Sequence, residues 1–180
     1  MKRIGILSDT HGWWDDRYLL HFADCDEIWH AGDIGSPLII DRLEEHCPVR
    51  AVCGNVDGRE LSLRFDDVLW FRVEECNVLM THIGGYPGKY APDVRREIYE
   101  RKPDLFVAGH SHILKVMHDD VIDCLHVNPG AAGRQGWQQV RTIVKLTIDG
   151  KMIKDLEVIE LGGENRGQRT DNREQSTDNR

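Results

Sequence analysis

The sequence has no apolar stretch long enough to cross a bilayer, and its first apolar run stops at Asp9, too early for the core of a secretion signal. Its five cysteines are odd in number, and no two of them have the C-x-x-C spacing of a thiolate metal site or a redox pair. We therefore expect neither a disulfide framework nor cysteine-bound zinc. Reduced thiols of this kind are typical of a cytoplasmic protein.

Positive charge is also in short supply. The 180 residues include 23 Lys and Arg against 31 Asp and Glu, which gives a net charge of −8, while residues 162–180 hold four charges of each sign. The acidity therefore belongs to the first 161 residues. An acidic surface does not attract nucleic acid or anionic membranes, so we expect no membrane partner and no general binding of nucleic acid. Cleavage of short nucleic-acid strands stays open. Whether the chain forms a homo-oligomer also stays open.

The length of the chain suits a single domain with a hydrophobic core. Apolar residues nearly vanish after Leu161, where Gly, Asn, Arg and Gln dominate and the sequence Thr-Asp-Asn-Arg occurs twice. Such a composition buries too little apolar surface to offset the entropy of ordering the chain. We predict one folded domain over residues 1–161 and a disordered polar tail over residues 162–180.

In the first half of the chain, predicted strands alternate with predicted helices. Strands are expected over residues 4–7, 27–30 and 48–53, and helices over residues 15–25 and 36–46. The second helix begins with Ser36 at the N-cap and Pro37 in the first turn. This alternation predicts parallel strands joined by crossover helices.

The second half of the chain consists mainly of strands. One helix is expected over residues 92–101, and strands are expected over residues 68–73, 78–82, 105–108, 121–127, 141–148 and 152–161. The pair Asp149-Gly150 marks a tight hairpin between the last two strands. We expect a second sheet packed on the first, with helices on the outside.

The ends of the predicted strands carry residue types that bind divalent metals. Alternate residues of an extended segment point to the same side, so Asp9 and His11 are expected to leave the first strand together. Five strand ends supply seven candidates in all: Asp9, His11, Asp33, Asn55, His82, His110 and His112. Oxygen and imidazole ligands suit Mn, Fe, Zn, Ni or Co. Seven ligands with one shared carboxylate are enough for two four-coordinate ions.

Each of these residues also has an ordinary explanation. A single D-x-H pair or a strand-end histidine is commonly structural, and Asn55 could simply form a turn. The five strand ends together, each beside a glycine or another small residue, favour the metal site. His30 either is structural or orients a ligand. The histidines outside such contexts are assigned structural roles: His21, His46, His118 and His126.

Five ordered motifs of the chain resemble those of calcineurin-like metallophosphoesterases. They are Ser8-Asp9-Thr10-His11-Gly12, Gly32-Asp33, Gly54-Asn55, Thr81-His82 and Gly109-His110-Ser111-His112. The match runs from residue 4 to about residue 133, and the compact chain is similar to the small bacterial and archaeal phosphodiesterase subgroup, which lacks a cap domain. This resemblance implies an α/β protein that folds as a four-layer α/β/β/α sandwich with two mixed β-sheets.

The resemblance also assigns roles to the candidate residues. It implies one metal held by Asp9, His11, Asp33 and His112, and another held by Asp33, Asn55, His82 and His110. Asp33 would bridge the two ions, and Asp33, Asn55 and His82 would be the catalytic residues. The implied cofactors are two divalent metal ions, with Mn ahead of Ni, Co, Fe and Zn.

The activity implied by the resemblance is hydrolysis of small-molecule or nucleotide phosphodiesters, by in-line attack of a metal-bridging hydroxide. A metal-dependent phosphomonoesterase is the alternative within the enzymes. A scaffold similar to a retromer subunit of this fold, with vestigial metal binding, is the alternative of a different class. The expected partner of the enzyme is a small-molecule phosphoester.

The chain departs from the family pattern at two positions and leaves one loop open to interpretation. Val56 stands where many members have a histidine that helps the leaving group depart, and Ala131 stands where a serine is frequent. The glycine-rich segment 84–90 follows His82 and either contacts substrate through Tyr86, Lys89 or Tyr90 or is a solvated loop.

Overall fold

The computed structural model describes residues 1–162. Residues 163–180 of the predicted tail lie outside this range, so the disorder of the tail stays a prediction. No helix in residues 1–162 combines the length and apolarity needed to cross a membrane. All five cysteines are free thiols, which confirms the expectation that they form no disulfide framework.

The secondary structure follows the predicted order with several additions. In chain order the elements are β1 (Lys2–Leu7), α1 (Arg17–His21), β2 (Glu27–His30), α2 (Pro37–Glu44), β3 (Val49–Ala51), α3 (Arg59–Arg64), β4 (Val68–Val73), β5 (Cys76–Thr81), β6 (Gly85–Tyr86), β7 (Lys89–Tyr90), α4 (Pro92–Arg101), β8 (Leu105–Ala108), β9 (Lys115–Asp119), β10 (Cys124–Asn128), β11 (Thr142–Asp149) and β12 (Met152–Glu160).

The strands form two five-stranded mixed sheets and a small hairpin of β6 and β7. The first sheet has the order β12-β11-β1-β2-β3, and the second has the order β4-β5-β8-β10-β9. Strands β1, β2 and β3 run parallel, as the alternation of strands and helices predicted. Strands β5, β8 and β10 are also parallel, with antiparallel β4 and β9 at the two edges.

Three hydrophobic clusters separate four layers. Ile6 of β1 packs between the two sheets with Val78 of β5, while its neighbour Leu7 points to the opposite face, toward Phe22. This alternation follows from the two-residue repeat of a strand. The third cluster lies on the outer face of the second sheet, where Ile98 of α4 packs in the same cluster as the β8 residue Phe106. The predicted α/β/β/α sandwich with two mixed sheets is confirmed.

The predicted bounds differ from the structure where short elements lack a clear apolar repeat. Helix α1 covers five residues, not the eleven predicted, and ends in turns after His21. Helix α3 buries only Leu61, and β9 buries only Asp119, so neither produced a pattern that the sequence analysis detected. The segment 84–90 contains the hairpin β6–β7, so the interpretation as a simple solvated loop was incomplete.

Candidate metal centre

The carboxyl ends of five strands bring the seven predicted residues to one side of the sandwich. The residues follow β1, β2 and β3 in the first sheet and β5 and β8 in the second, and within each sheet these strands are parallel. Two groups of potential ligand atoms result, and within each group the atoms lie within 4.8 Å of one another. The groups are Asp9 with His11 and His112, and Asp33 with His82 and His110.

A left-handed backbone places most of these side chains. The φ angles of Asp9, His11, Asp33, His110 and His112 are 54°, 47°, 52°, 66° and 58°. Asp9 and His11 therefore do not leave β1 in an extended segment, and the same-side argument for them was wrong in its geometry. Non-glycine residues adopt this conformation at a cost, which the surrounding structure must offset. Five of the seven predicted residues carry this cost.

Each aspartate uses one carboxylate oxygen to fix a neighbouring loop and leaves the other in the centre. Asp9 Oδ2 accepts a hydrogen bond from the backbone N–H of His110, and Asp33 Oδ1 accepts one from the N–H of Val56. Asp33 Oδ2 lies 3.2 Å from His82 Nε2 and 3.9 Å from His11 Nε2. One oxygen of Asp33 therefore faces histidines of both groups. Asp9 Oδ1 does so as well, at 3.2 Å from His112 Nε2 and 3.9 Å from His82 Nε2, so both carboxylates lie between the two groups.

Hydrogen bonds behind two histidines fix which ring nitrogen is available. His82 Nδ1 donates to the backbone carbonyl of Ala31 at 2.7 Å, and His112 Nδ1 donates to Gln138 Oε1 at 3.0 Å. Because Nδ1 carries the proton in both rings, Nε2 is the unprotonated nitrogen, and its lone pair points away from Ala31 and Gln138. Such second-sphere bonds hold an imidazole in the tautomer that can bind a metal ion.

Polar atoms of the centre that lack a hydrogen-bond partner provide a test of whether metal ions fit there. Asp9 Oδ1 and His82 Nε2 are buried and have no hydrogen-bond partner in the described part of the chain. A buried polar atom without a partner costs about 1–3 kcal/mol. His11 Nε2 and His112 Nε2 lie 3.3 Å apart. Two imidazole nitrogens that bind one ion at about 2.1 Å each lie roughly 3–3.5 Å apart, so the donor set fits divalent cations.

The electrostatics of the centre favour a cation as well. Burial lowers the pKa of His11. Burial would also lower the pKa of His82, but the nearby carboxylates of Asp33 and Asp9 outweigh that effect and raise it. The Asp9 carboxylate, whose Oδ1 lies 3.2 Å from His112 Nε2, raises the pKa of His112. Carboxylates that favour positive charge on adjoining imidazoles create the negative potential that attracts metal ions.

Asn55 is the one amide among the seven predicted residues. It is exposed and lines a cleft of about 320 Å³ together with His82. The adjacent Gly54 lets the loop after β3 lie directly against Asp33, because a Cβ atom at position 54 would lie 2.1 Å from the backbone nitrogen and Oδ1 of Asp33. The structure thus places a carboxamide beside the group that contains His82.

His30 supports the centre without contacting a predicted ligand through its side chain. Its Nδ1 accepts a hydrogen bond from the N–H of Gly32, and its Nε2 donates to Thr10 Oγ1, whose hydroxyl donates to the carbonyl of Ile34. Burial lowers the pKa of His30 to about 4, so the ring is neutral. His30 therefore ties the loop of Asp9 to the loop of Asp33. Of the two roles that the sequence left open, this is the structural one, because the side chain bonds to Thr10 and Gly32 and not to a predicted ligand.

Asp57 is a supporting residue that the sequence analysis missed. Its carboxylate accepts hydrogen bonds from the backbone N–H groups of Ile34, Gly35 and Gly54 at 3.1, 2.7 and 2.8 Å. It thereby fixes the loop after β2 to the loop after β3. The sequence shows an aspartate two positions after Asn55. An aspartate that only forms a turn and one that joins two loops have the same neighbours in sequence, so the sequence could not tell them apart.

Gln138 is a second missed support, and it allows a direct test. Replacing Gln138 with leucine removes the acceptor for His112 Nδ1, and we expect the affinity for one of two metal ions to fall about 10–100-fold, as for other second-sphere partners. Gln138→Glu keeps an acceptor and should retain most of that affinity. Metal titration by calorimetry on both variants measures the effect. Equal affinities in the leucine variant and the native protein would show that Gln138 does not orient His112.

The fold and the paired ligand groups define a four-layer α/β/β/α protein with a candidate dinuclear metal centre. The family model described as "Calcineurin-like phosphoesterase superfamily domain" matches residues 1–151. The chain therefore belongs to the calcineurin-like phosphoesterase superfamily, as the five motifs suggested.

Similar proteins agree with this assignment. A probable metallophosphoesterase from Methanothermobacter thermautotrophicus is 31% identical over 166 residues, which covers 88% of this chain and 92% of that protein. The solved structure of a novel archaeal phosphodiesterase is 25% identical, with a TM-score of 0.68, and covers 87% of this chain and 99% of that one. Vps29 from Chaetomium thermophilum has a TM-score of 0.75 at 16% identity, with 93% of each chain covered, and shows the fold alone.

Proposed function

We propose that the protein is a divalent-metal-dependent phosphodiesterase that acts on small-molecule or nucleotide phosphodiesters. The observation that carries the proposal is the pair of ligand groups on either side of Asp33 Oδ2. In this proposal one ion is held by Asp9, His11, Asp33 and His112, and the other by Asp33, Asn55, His82 and His110. When bound, two divalent ions supply Lewis-acid charge for a phosphoester and lower the pKa of water.

The residues of the chain have distinct tasks in this proposal. Asp33 and Asp9 hold the positive charge in place, each with its second oxygen fixed by a backbone N–H. The hydrogen bonds of His82 to Ala31 and of His112 to Gln138 keep both rings oriented, so little reorganisation is needed during the reaction. No serine or cysteine nucleophile is required, and we expect no covalent intermediate.

The comparisons support a phosphoester hydrolase and favour a diesterase through the likeness to the archaeal phosphodiesterase. A phosphomonoesterase is the second candidate, because the same ligand groups suit either ester. A scaffold is the third candidate, and the likeness to Vps29 concerns its fold only. The ligand set favours an enzyme over the scaffold, because both groups have their carboxylate and imidazole members in place. A cytoplasmic location and manganese as the metal belong to the proposal, and the homo-oligomeric state stays open.

The test is a panel of phosphomonoesters and phosphodiesters, assayed with Mn, Ni, Co, Zn and Mg in turn after removal of metals with a chelator. The proposal expects about two metal ions per chain and faster turnover of diesters than of monoesters with the same leaving group. Faster monoester turnover would favour the second candidate. Metal binding without turnover of any ester would favour the scaffold.

Val56 gives a prediction about leaving groups. Its side chain is 53% exposed and cannot donate a proton, whereas a positioned general acid is worth on the order of 10²–10⁴ in rate. We expect Val56→His to raise turnover of poor alkyl leaving groups more than that of aryl ones, with metal content unchanged. The measurement is the slope of log rate against leaving-group pKa for a graded series of esters. Equal slopes in the two proteins would mean that another group already supplies the proton.

A further inference from the structure

A cavity of about 380 Å³ opens beside the candidate metal centre. His110 and Ser111 form the wall that faces the centre, and the remaining wall lies on the outer side of the second sheet. Ile83 and Ile113 supply apolar surface, and Lys115 and His126 supply polar groups. A volume of this size falls in the range of pockets that hold small organic ligands. The cavity is contiguous with a predicted metal ligand, so a molecule bound at the centre can extend into it.

His126 is the unusual residue of this cavity. It was assigned a structural role from the sequence, but it is 1% exposed and neither ring nitrogen has a hydrogen-bond partner within residues 1–162. Its ring packs against Phe106 with centroids 5.0 Å apart. Leaving a buried donor and acceptor unpaired costs stability, and a phenylalanine would pack at such a position without that cost. Burial lowers the pKa of His126 to about 4, so the ring is neutral and offers one donor and one acceptor.

The hairpin β6–β7 covers the cavity. Tyr86 belongs to the lining, and the ammonium of Lys115, another lining residue, lies 3.6 Å from the centre of the Tyr86 ring and helps to hold the ring in place. The hairpin itself is fixed, because the buried Tyr90 donates a hydrogen bond to Asp119 Oδ2 at 2.6 Å. Of the three loop residues considered from the sequence, Tyr86 therefore borders the cavity, while Tyr90 is part of the core.

We propose that this cavity binds the nucleobase of a nucleotide phosphoester whose phosphate lies at the metal centre. The inference rests on the proposed function and adds the substrate class. A nucleobase is a flat ring with donors and acceptors along its edge, which matches the apolar walls, the Tyr86 ring and the paired donor and acceptor of His126. A simple phenyl ring is also flat but has no donor or acceptor for His126. Hydrogen bonds to His126 therefore distinguish a nucleobase from a phenyl ring.

The experiment uses three p-nitrophenyl phosphodiesters in which the other ester group is thymidine (5′-linked), phenyl or methyl. All three release the same leaving group, so differences in kcat/KM report on the retained group. We expect the thymidine ester to exceed the methyl ester by at least about tenfold and to exceed the phenyl ester as well. In His126→Phe the thymidine ester should fall to the level of the phenyl ester, because the ring is kept and its nitrogens are lost. Tyr86→Ala should lower both ring-containing esters relative to the methyl ester.

His118→Phe is the matched control, because His118 is an exposed histidine of the neighbouring strand β9 and lies outside this cavity. It should leave all three ratios unchanged. A second readout does not need turnover: thymidine 5′-monophosphate should shift the ring ¹⁵N resonances of His126 in the protein loaded with diamagnetic Zn, and ribose 5-phosphate should not.

The outcomes separate this inference from the proposed function. Turnover of the methyl ester without a preference for the thymidine ester would overturn the base-binding cavity and leave the phosphodiesterase intact. Loss of the preference in His118→Phe, or its persistence in a folded His126→Phe, would also overturn the assignment to His126. Failure to hydrolyse any ester would contradict the proposed function. The resonance shifts would then test binding of the nucleobase in the cavity independently of turnover.

Discussion

Replacing Asp33 with alanine is expected to remove both metal ions and to lower phosphoester turnover by more than about 10³-fold. Asp33 Oδ2 faces His82 in one group and His11 in the other, so its loss deprives both groups of a negative ligand. Stabilisation of charge by metal ions contributes several kcal/mol to the transition state, and about 4 kcal/mol corresponds to 10³ in rate. Metal content by elemental analysis and turnover of a phosphodiester measure the effect.

The fold should survive this change. The side chain of Asp33 makes one hydrogen bond to the backbone, from the N–H of Val56, and loss of one such bond costs about 1–3 kcal/mol. Asp41→Ala is a suitable control, because it removes an exposed acid from α2 whose partner is Arg64. The control should keep two ions and full turnover. A folded Asp33→Ala variant that still binds two ions and hydrolyses substrate would disprove the bridging role.

Replacing Asp57 with alanine should weaken both the fold and the metal centre without removing any predicted ligand. Three backbone N–H groups from the loops after β2 and β3 lose their acceptor at once. Hydrogen bonds to a charged group are worth about 1.5–3 kcal/mol each, so we expect a loss of a few kcal/mol in the free energy of unfolding. Because these loops carry Asp33 and Asn55, metal affinity should fall about 10–100-fold.

Denaturant unfolding of the metal-free protein and metal titration of the folded protein separate the two effects of Asp57→Ala. Asp57→Asn keeps one acceptor oxygen and should be intermediate in both measurements. Asp66→Ala removes an exposed acid from the same part of the chain and should change neither. An Asp57→Ala variant with native stability and native metal affinity would mean that the loops hold their positions without this carboxylate.

The sequence determined the outline of the fold because the apolar pattern of a well-buried element is a local property. Strands β2, β4 and β8 and helix α4 have the predicted bounds, and parallel pairing of the first strands followed from the crossover helices between them. Helix α3 and strand β9 were missed, since each buries a single residue and gives no repeat. Their positions depend on the neighbours they pack against.

The sequence also named the seven candidate ligands, because their residue types and adjoining glycines are visible at strand ends. Only the tertiary structure decided how they meet. The left-handed turns at Asp9 and His11, the hydrogen bond that selects the tautomer of His82, and the exposure of Asn55 all depend on atoms from distant strands. The residue Ala31, which receives the bond from His82, lies 51 positions away in the chain.

The same reason explains why Asp57 was missed and why nothing in the sequence indicated the role that we propose for His126. A carboxylate in a turn and a histidine in a strand look ordinary when only their neighbours in sequence are known. Asp57 matters because it binds three N–H groups on two loops, and the proposal for His126 rests on two unpaired nitrogens at a cavity. Pairing and burial of polar atoms are properties of chain segments that meet only after folding, so composition and spacing determine the kind of centre, and packing determines its geometry and its surroundings.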